Sequence, residues 1–376
     1  MIYLDNAATT RTDDEILDDY YKLCKKYYAN ASSNHYLGRE AARFLNASRK
    51  QIASLLGVKN VEVYFTSGAT ESNNIAIIGT CHAHKKRGKH LITTKIEHPS
   101  VLNVFKYLEK EGYEVTYLSV DSSGVISLDE LKEILRNDTI LVSIMGVNNE
   151  IGSIMPISEC GRIIKENSNA YFHVDATQLI GKHKINMTNI DFLSFSAHKI
   201  HGLKGSGALI KKENVRIEPI IFGGKQEEGL RPGTLNWQVD VMLAKTLRKA
   251  LENMDEKRAY IEELRDYLFD ELSKIDKVYL NSTKKGSPYI INFSLEGYPS
   301  EVVVSGLEDD GFLVSTLSAC STNKVKKSYV LEALNLEPFR ASSSIRVSLN
   351  QDITKKDLEG FIESLKKILN RIGGNF

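Results

Sequence analysis

One lysine in this sequence stands where a reactive amine would be useful. Lys199 directly follows a histidine at the end of the β-like run DFLSF, and turns of small residues lie on both sides of it. A lysine on a solvated surface needs no such setting. A lysine that forms a Schiff base needs a fixed backbone, a lowered pKa and room for a ligand. The setting therefore indicates Schiff-base chemistry at Lys199, and the simpler alternative is a lysine that binds phosphate.

Two further polar residues come at the ends of strand-like runs. Asp175 ends the apolar run YFHVD, where a carboxylate is costly unless a positive group meets it. A protonated pyridine nitrogen would be such a group; the alternative is a carboxylate that accepts backbone N–H bonds or pairs with an arginine. His98 follows the run TTKIE and precedes a helix that begins at Pro99, where a lone histidine is more often structural than catalytic.

A fourth feature is a predicted anion site at the start of a helix. The segment VYFTSGATESNN runs from a strand through a glycine turn into a helix whose first turn contains Ala69 and Thr70. Free N–H groups at a helix start bind phosphate, and the alternative is an ordinary helix capped by Thr66 or Ser67. Joined with the lysine, the aspartate and the histidine, this site completes the set that pyridoxal 5′-phosphate requires for its phosphate, ring nitrogen, aldehyde and ring face.

The elements that must position these residues alternate along the chain. From about residue 55 to residue 220, short apolar runs alternate with amphipathic stretches, which predicts a mostly parallel sheet with helices on both faces. In such sheets ligands bind outside the carboxyl ends of the strands. Residues 236–275 predict one or two long helices, and an α+β pattern follows. We expect a large α/β domain over residues 14–255 and a small α+β domain over residues 1–13 and 256–376.

Composition removes several other classes of protein. The 49 basic and 48 acidic residues give a net charge of +1, so no global charge favours nucleic acid or an anionic membrane as a direct partner. The sequence shows no signal-peptide pattern and no membrane-spanning apolar run, and its cysteines form no CxxC pair, so we expect a cytoplasmic protein. The run CHAHKKRGKH suggests a metal site, but His82 and His84 are two residues apart and point to different faces of a helix. We therefore predict no metal.

The order of the motifs resembles that of the pyridoxal-phosphate-dependent cysteine desulfurases of the IscS/NifS type, in the class V aminotransferase group of fold type I. The motifs cover nearly the whole chain, and they are YLDNAATT, ASSNHYLGREA, TSGATESNN, EHPSVLN, VNNEIG, HVDATQ, SFSAHKIHGLKG, GGKQEEGLRPGTLN, SACSTN, SYVLEAL and SSIRVSL. The resemblance implies a mostly parallel seven-stranded sheet, a homodimer with shared active sites, and conversion of L-cysteine to L-alanine. Lys225, Glu228 and Pro232 depart from the family pattern, which usually has Gly, Arg and Ser there.

The resemblance also implies a role for each site residue. Lys199 is implied to be the Schiff-base lysine, His98 to stack on the cofactor ring and act as an acid or base, and Asp175 to meet the ring nitrogen. Gln178 and Asn149 are implied to lie near the cofactor O3′ and the substrate. The residues implied to bind the phosphate are Ala69, Thr70, Ser196, His198 and, from the other subunit, Thr234. Arg346 is implied to take the substrate carboxylate, a role that suits its bidentate fork.

Cys320 is the predicted carrier of sulfur. It lies in the polar run STLSACSTNKVKKSYV, whose lysines would favour a thiolate, whereas Cys24, Cys81 and Cys160 are expected to be structural. The resemblance implies a persulfide on Cys320 that passes to acceptor proteins of iron–sulfur cluster assembly or tRNA thiolation. The alternatives are another class V enzyme, such as a selenocysteine lyase or an aminotransferase, and a non-catalytic iron–sulfur assembly scaffold.

Overall fold

The computed structural model describes residues 1–316 and 327–373. Its helices are α1 (Asp14–Lys26), α2 (Tyr36–Leu56), α3 (Ala69–His84), α4 (Pro99–Lys110), α5 (Leu128–Ile134), α6 (Ile157–Asn167), α7 (Trp237–Leu251), α8 (Met254–Leu272), α9 (Ser300–Asp309), α10 (Tyr329–Ala333) and α11 (Lys355–Gly373). Its strands are β1 (Ile2–Tyr3), β2 (Val63–Thr66), β3 (His90–Thr94), β4 (Glu114–Leu118), β5 (Thr139–Met145), β6 (Tyr171–Asp175), β7 (Phe192–Ser196), β8 (Gly207–Lys211), β9 (Val278–Leu280), β10 (Ile290–Leu295), β11 (Phe312–Leu313), β12 (Ser315–Thr316) and β13 (Ser344–Ser348).

The central sheet has seven strands in the order β2-β8-β7-β6-β5-β3-β4. The pairs from β7 to β4 are all parallel, and β8 pairs antiparallel with both β7 and β2. Only β8 therefore runs against the others. The predicted α/β fold with a mostly parallel seven-stranded sheet is confirmed.

Both faces of this sheet are buried by helices. Leu91 of β3 belongs to a buried cluster with Ile75 of α3 and Phe105 of α4. The next residue, Ile92, belongs to a second cluster that includes Ile164 of α6 and Leu247 of α7. Because successive side chains of a strand point to opposite faces, the apolar run of β3 supplies both layers of the core.

The C-terminal part forms a separate antiparallel sheet in the order β12-β13-β10-β9. The predicted long helical stretch is two helices, because Asn253 adopts a left-handed φ of 52° between α7 and α8. The apolar and β-branched run FLVST, residues 312–316, predicts one strand, but the structure has two short strands with different partners: β11 pairs with β1, and β12 pairs with β13. The N-terminal strand thus packs beside the C-terminal sheet.

Within the described ranges, no helix combines the length and the apolar content needed to cross a membrane.

Replacing Leu193 with alanine should lower the free energy of unfolding by about 2–5 kcal/mol, because this fully buried side chain of β7 would leave a cavity. The same replacement at the exposed Leu17 of α1 is the control and should change the free energy by about 0.5 kcal/mol or less. Urea unfolding followed by circular dichroism measures both. Equal losses in the two variants would contradict the buried position of β7.

Candidate active site

Six strands of the central sheet end at one edge, and five of them lead directly to predicted site residues. β2, β3, β5, β6 and β7 all run in the same direction, so their carboxyl ends meet at this edge. One pocket at the edge is lined by ten of the predicted residues, namely Ala69, Thr70, His98, Asn149, Asp175, Gln178, Ser196, His198, Lys199 and Arg346. Because Arg346 comes from β13, the pocket lies between the central and the C-terminal sheets.

Lys199 lies half-buried in this pocket, just after β7. Its Nζ donates to the carbonyl oxygens of Ala7 and Ala8 at 2.7 and 2.8 Å. Burial and then the positive charge of Arg346 lower the pKa of Lys199 to about 8. Mildly alkaline solution therefore releases the neutral amine, which is the form that attacks a carbonyl carbon.

Asp175 is buried at the last position of β6. Its Oδ1 accepts the backbone N–H of Thr177 at 2.9 Å, and its Oδ2 accepts Nδ2 of Asn73 at 2.8 Å. Asp175 therefore accepts a backbone N–H, as one alternative from the sequence predicted. No arginine pairs with it among the described residues. A carboxylate offers about four lone-pair positions, so these two donors leave capacity for a partner from the pocket.

Asn73 of α3 connects Asp175 to His98, and the sequence analysis did not single it out. The fully buried Asn73 donates through Nδ2 to Oδ2 of Asp175 and to Oγ of Ser100, at 2.8 and 2.9 Å. The backbone N–H of Ser100 in turn donates to Nδ1 of His98 at 3.1 Å. Because Nδ1 accepts, the neutral imidazole carries its proton on Nε2. The only sequence signal for Asn73 was its place one helical turn after Ala69, on the same face of α3.

His98 has a structural contact as well as a place at the pocket. Its side chain caps α4, and Pro99 occupies the first turn, as the sequence predicted. The N–H of Ser100 satisfies Nδ1 of His98, so Nε2 is the nitrogen left to exchange a proton.

The first residue of α3 is hydrogen-bonded to the end of β7. Gly68, with a φ of 150°, is the N-cap, so the alternative of a Thr66 or Ser67 cap is wrong. Oγ of Ser196, at the end of β7, instead accepts the N–H of Ala69 at 2.7 Å. This bond holds the helix start against the strand end at the pocket wall.

Gln178 and His198 are both tied to the N-terminal segment, which the sequence analysis did not assign to the site. Nε2 of Gln178 donates to the carbonyl oxygen of Ala7 at 2.9 Å. Nδ1 of His198 lies 3.1 Å from Oγ1 of Thr9. Burial, followed by the charge of Lys199, lowers the pKa of His198 to about 4, so this imidazole is neutral at neutral pH.

Arg346 reaches the pocket from β13. Its Nη2 pairs with Oδ1 of Asp5 at 2.7 Å, and its Nη1 donates to the carbonyl oxygen of Asn149 at 2.9 Å. Its Nε is buried and has no hydrogen-bond partner among the described residues. A guanidinium with a donor to spare is suited to bind a carboxylate.

Glu97, just before the α4 cap, is a fully buried carboxyl group that the sequence analysis missed. Its Oε1 accepts hydrogen bonds from the hydroxyl group of Thr94 and from the N–H of Met145, both at 2.8 Å. Burial, and to a smaller degree the charge of Asp175, raises the pKa of Glu97 to about 8. Glu97 is therefore mainly protonated at neutral pH and supports the strand end without a second negative charge near Asp175.

Thr234 does not line this pocket; it is exposed on the loop before α7. Cys320 lies outside the described residues.

The loop that carries Thr234 has an unusual backbone. Glu227 and Glu228 adopt positive φ angles of 47° and 56°. Glu227 is buried and pairs with Arg49 at 2.5 Å, and Oε2 of Glu228 accepts the hydroxyl of Tyr64 at 2.8 Å. The departure from the family pattern at Glu228 thus supplies a contact that holds this strained loop.

The buried cysteines are poorly suited to act as nucleophiles. Burial raises the pKa of the Cys160 thiol to about 12, and it also raises the pKa of Cys81. Since the thiolate is the reactive form, these buried cysteines are poor nucleophiles, as expected for structural ones. Cys24 is half-buried. Over the ranges that the structure covers, no three His, Cys, Asp or Glu side chains are grouped to hold a metal ion.

The pocket residues fit pyridoxal phosphate. The start of α3, Ser196 and His198 offer donors for a phosphate, and Asp175 and Lys199 offer the acid and the amine. Oδ1 of Asn149 and Oγ1 of Thr177 line this pocket but are buried without a partner among the described residues. Buried polar atoms are normally hydrogen-bonded, so these two atoms are suited to a polar ligand in the pocket.

Comparison with known proteins identifies the class. The model of the family Aminotransferase class-V matches residues 2–361. A cysteine desulfurase IscS from Dictyoglomus turgidum is 42% identical over 375 residues, which cover 99% of this chain and 95% of that protein. A NifS/IcsS protein homolog from Lactobacillus delbrueckii subsp. bulgaricus is 42% identical over 373 residues, with 98% and 97% covered. The chain therefore belongs to the class V aminotransferases and, within them, to the IscS/NifS cysteine desulfurases.

Solved structures agree with this assignment. A NifS-like protein superposes with a TM-score of 0.92 at 36% identity, over 98% of this chain and 99% of its own. The structure described as SspA in complex with cysteine superposes with a TM-score of 0.82 at 33% identity, over 93% and 99%. The resemblance seen in the sequence motifs is confirmed, and pyridoxal phosphate is the cofactor of this family.

Replacing Arg346 with glutamine should raise the pKa of Lys199 above its value of about 8, because a positive neighbour is removed and Asp5 loses its partner. Acetylation of Lys199 in the cofactor-free protein should therefore rise with pH through about 8 in the wild type and at higher pH in the variant. Mass spectrometry measures this labelling against the exposed Lys204. The exposed Arg162→Gln change is the control, and equal midpoints in all three proteins would contradict the effect of Arg346.

Proposed function

We propose that this protein is a cysteine desulfurase that converts L-cysteine to L-alanine and holds the sulfur as a persulfide on Cys320. The observation that carries the proposal is that Lys199, Asp175, His98 and Arg346 line a single pocket, although they come from distant parts of the chain. The relatives named cysteine desulfurase support the substrate, as does the neighbour described in complex with cysteine.

In this proposal Arg346 orients the substrate. Its Nε has no hydrogen-bond partner among the described residues, while Asp5 and the carbonyl oxygen of Asn149 hold the rest of the guanidinium in place. A carboxylate bound there fixes one end of the amino acid. The α-amino group and Cα would then be within the same pocket as Lys199 and His98.

Pyridoxal phosphate, when bound through Lys199, supplies an electron sink that lets the Cα–H and C–S bonds of an amino acid break. Asp175 is proposed to hold a proton on the ring nitrogen, with Asn73 and the N–H of Thr177 keeping its carboxylate in position. Lys199 is suited to remove the Cα proton, because its lowered pKa leaves a usable fraction of free amine. His98 exchanges protons through Nε2.

Transfer of the substrate sulfur requires a thiol, and we propose that Cys320 supplies it. A new S–S bond forms between the sulfur of Cys320 and that of the substrate, and the substrate C–S bond breaks. L-Cysteine and the Cys320 thiol together become L-alanine and the Cys320 persulfide, so atoms and electrons balance without an added oxidant. We propose that acceptor proteins of iron–sulfur cluster assembly or tRNA thiolation then take the sulfur, in the cytoplasm.

Replacing Cys320 with alanine should reduce sulfide release from L-cysteine and a thiol reductant by roughly a hundredfold or more, because the nucleophile is lost. Wild type should form alanine and sulfide in equal amounts, and the variant should keep the visible absorbance of the bound cofactor. The half-buried Cys24→Ala change is the control and should keep wild-type rates.

Other outcomes separate the alternatives. Alanine or a keto acid formed without dependence on Cys320 would favour a selenocysteine lyase or an aminotransferase. No cofactor absorbance after addition of pyridoxal phosphate would favour the non-catalytic scaffold.

We also propose a homodimer in which Thr234 completes the phosphate site of the partner subunit, and a division into domains at residues 14–255 and at residues 1–13 and 256–376. Two observations support the dimer. Thr234 is exposed and lies outside the pocket lining of its own chain. Phe222, on the same loop region, is 85% exposed, as expected for a side chain that another subunit covers.

Mixing two inactive variants tests the shared site. Lys199→Ala removes the amine, and Thr234→Asp should repel the cofactor phosphate. If Thr234 acts in the partner's site, a mixed dimer has one doubly altered site and one intact site, and it should recover about half of the wild-type activity. If Thr234 acts within its own chain, every site keeps one defect, and no activity should return. Refolding the two variants together, with each alone as the control, gives the answer.

A further inference from the structure

A buried lysine, Lys182, contacts a residue that lines the catalytic pocket. Lys182 is only 9% exposed and, with Lys199, Lys257 and Tyr289, lines a second cavity that is partly open to solvent. Over residues 1–316 and 327–373 it forms no ion pair with a carboxylate. A buried cation without a counter-ion lowers stability, so its presence calls for a role.

The contacts of Lys182 point to Gln178. Nζ of Lys182 donates to Oε1 of Gln178 at 2.8 Å, and it lies 5.6 Å from the centre of the Tyr289 ring. The two residues are four apart in the turn after β6. This turn is closely packed, since a Cβ on Gly181 would lie 2.7 Å from Cβ of Ala250. Lys182 therefore has a fixed position over Gln178.

The chemistry of the two groups determines the orientation of the Gln178 amide. Burial, followed by the charges of Lys199 and Arg346, lowers the pKa of Lys182 to about 7. In its charged form the lysine only donates hydrogen bonds, whereas an amide has an oxygen that accepts at one end and an NH₂ group that donates at the other. With Oε1 bound to Lys182, the NH₂ group lies at the other end. One N–H goes to the carbonyl oxygen of Ala7 at 2.9 Å. The second N–H is left for the cofactor pocket, which Gln178 lines.

We propose that Lys182 is a positioning residue that keeps the donor end of Gln178 turned toward the cofactor pocket. This inference deepens the proposed function and rests on pyridoxal phosphate as the cofactor. A donor at this wall stabilises negative charge on the phenolic oxygen of the cofactor. That charge is most localised after the linkage to Lys199 has lost its proton, so a correctly turned Gln178 lowers the pH at which the linkage titrates.

The test is a pH titration of the visible absorbance of the holoenzyme, with no substrate present. Lys182→Met removes the donor and should raise the midpoint by roughly half a unit to one unit, the size expected from one lost hydrogen bond. Lys182→Arg keeps a group that only donates, and it should restore the wild-type midpoint. Lys257→Met is the matched control, because it removes a positive charge from the same cavity without contact to Gln178.

A double-mutant cycle separates positioning from a direct effect of charge. Gln178→Ala should itself raise the midpoint, and adding Lys182→Met should then change nothing further, because Lys182 acts through Gln178. An equal shift in both backgrounds would overturn the proposal, and so would a shift in Lys257→Met, no shift in Lys182→Met, or no restoration by Lys182→Arg.

The Gln178→Glu variant tests the role of the Gln178 N–H even if the Lys182→Met variant fails to fold. It leaves Lys182 in place and offers it a carboxylate, but presents no N–H to the pocket. Its midpoint should rise, and a wild-type midpoint would overturn the proposal. Alanine and sulfide formation by wild type is measured alongside. Its absence would count against the desulfurase function, whereas an unmoved midpoint with normal activity would count against Lys182 alone.

Discussion

The hydrogen bonds from Lys199 to the carbonyl oxygens of Ala7 and Ala8 join the two halves of the molecule at the active site. The same N-terminal segment is held to β13, because Oγ of Ser348 accepts the N–H of Ala7 at 2.8 Å and its carbonyl oxygen accepts Nδ2 of Asn6 at 2.9 Å. The N-terminal segment thus bridges the edge of the central sheet and the C-terminal sheet. This bridge, together with the direct hydrogen bond from Arg346 to the carbonyl oxygen of Asn149, places the amine and the arginine in one pocket.

The pocket gathers positive charge that the protein itself balances only in part. Lys199, Arg346 and Lys182 are buried or half-buried close together: in addition to burial, Arg346 lowers the pKa of Lys199, both lower the pKa of Lys182, and Lys182 lowers that of His198. Asp5 pairs with Arg346, and Asp175 is held by neutral donors. A cofactor phosphate and a substrate carboxylate carry the opposite charge. The surplus therefore serves both the binding of anions and the supply of a free amine, since like charges favour loss of a proton.

The sheet edge depends on one close approach of backbones. Gly207 lies between Thr66 and Ser196 in the register of β2, β8 and β7. A Cβ at this position would lie 2.6 Å from Cα of Gly68, so glycine is what allows the α3 turn to lie against the end of β7. The phosphate-binding part of the pocket is then fixed by main-chain packing together with the hydrogen bond from the N–H of Ala69 to Oγ of Ser196.

The sequence by itself determined the fold class and most of the candidate site. The alternation of apolar runs fixes the direction of the strands, and strand-end polar residues such as Asp175 and Lys199 must then meet at one edge. Only the tertiary structure revealed Asn73, Glu97, the N-terminal carbonyl groups and Lys182. Each of these acts through a contact across the fold or through burial, and a linear pattern records neither. The break in FLVST and the Gly68 cap were likewise decided by packing partners from other segments, because local propensity does not specify the partner of a strand or of a helix end.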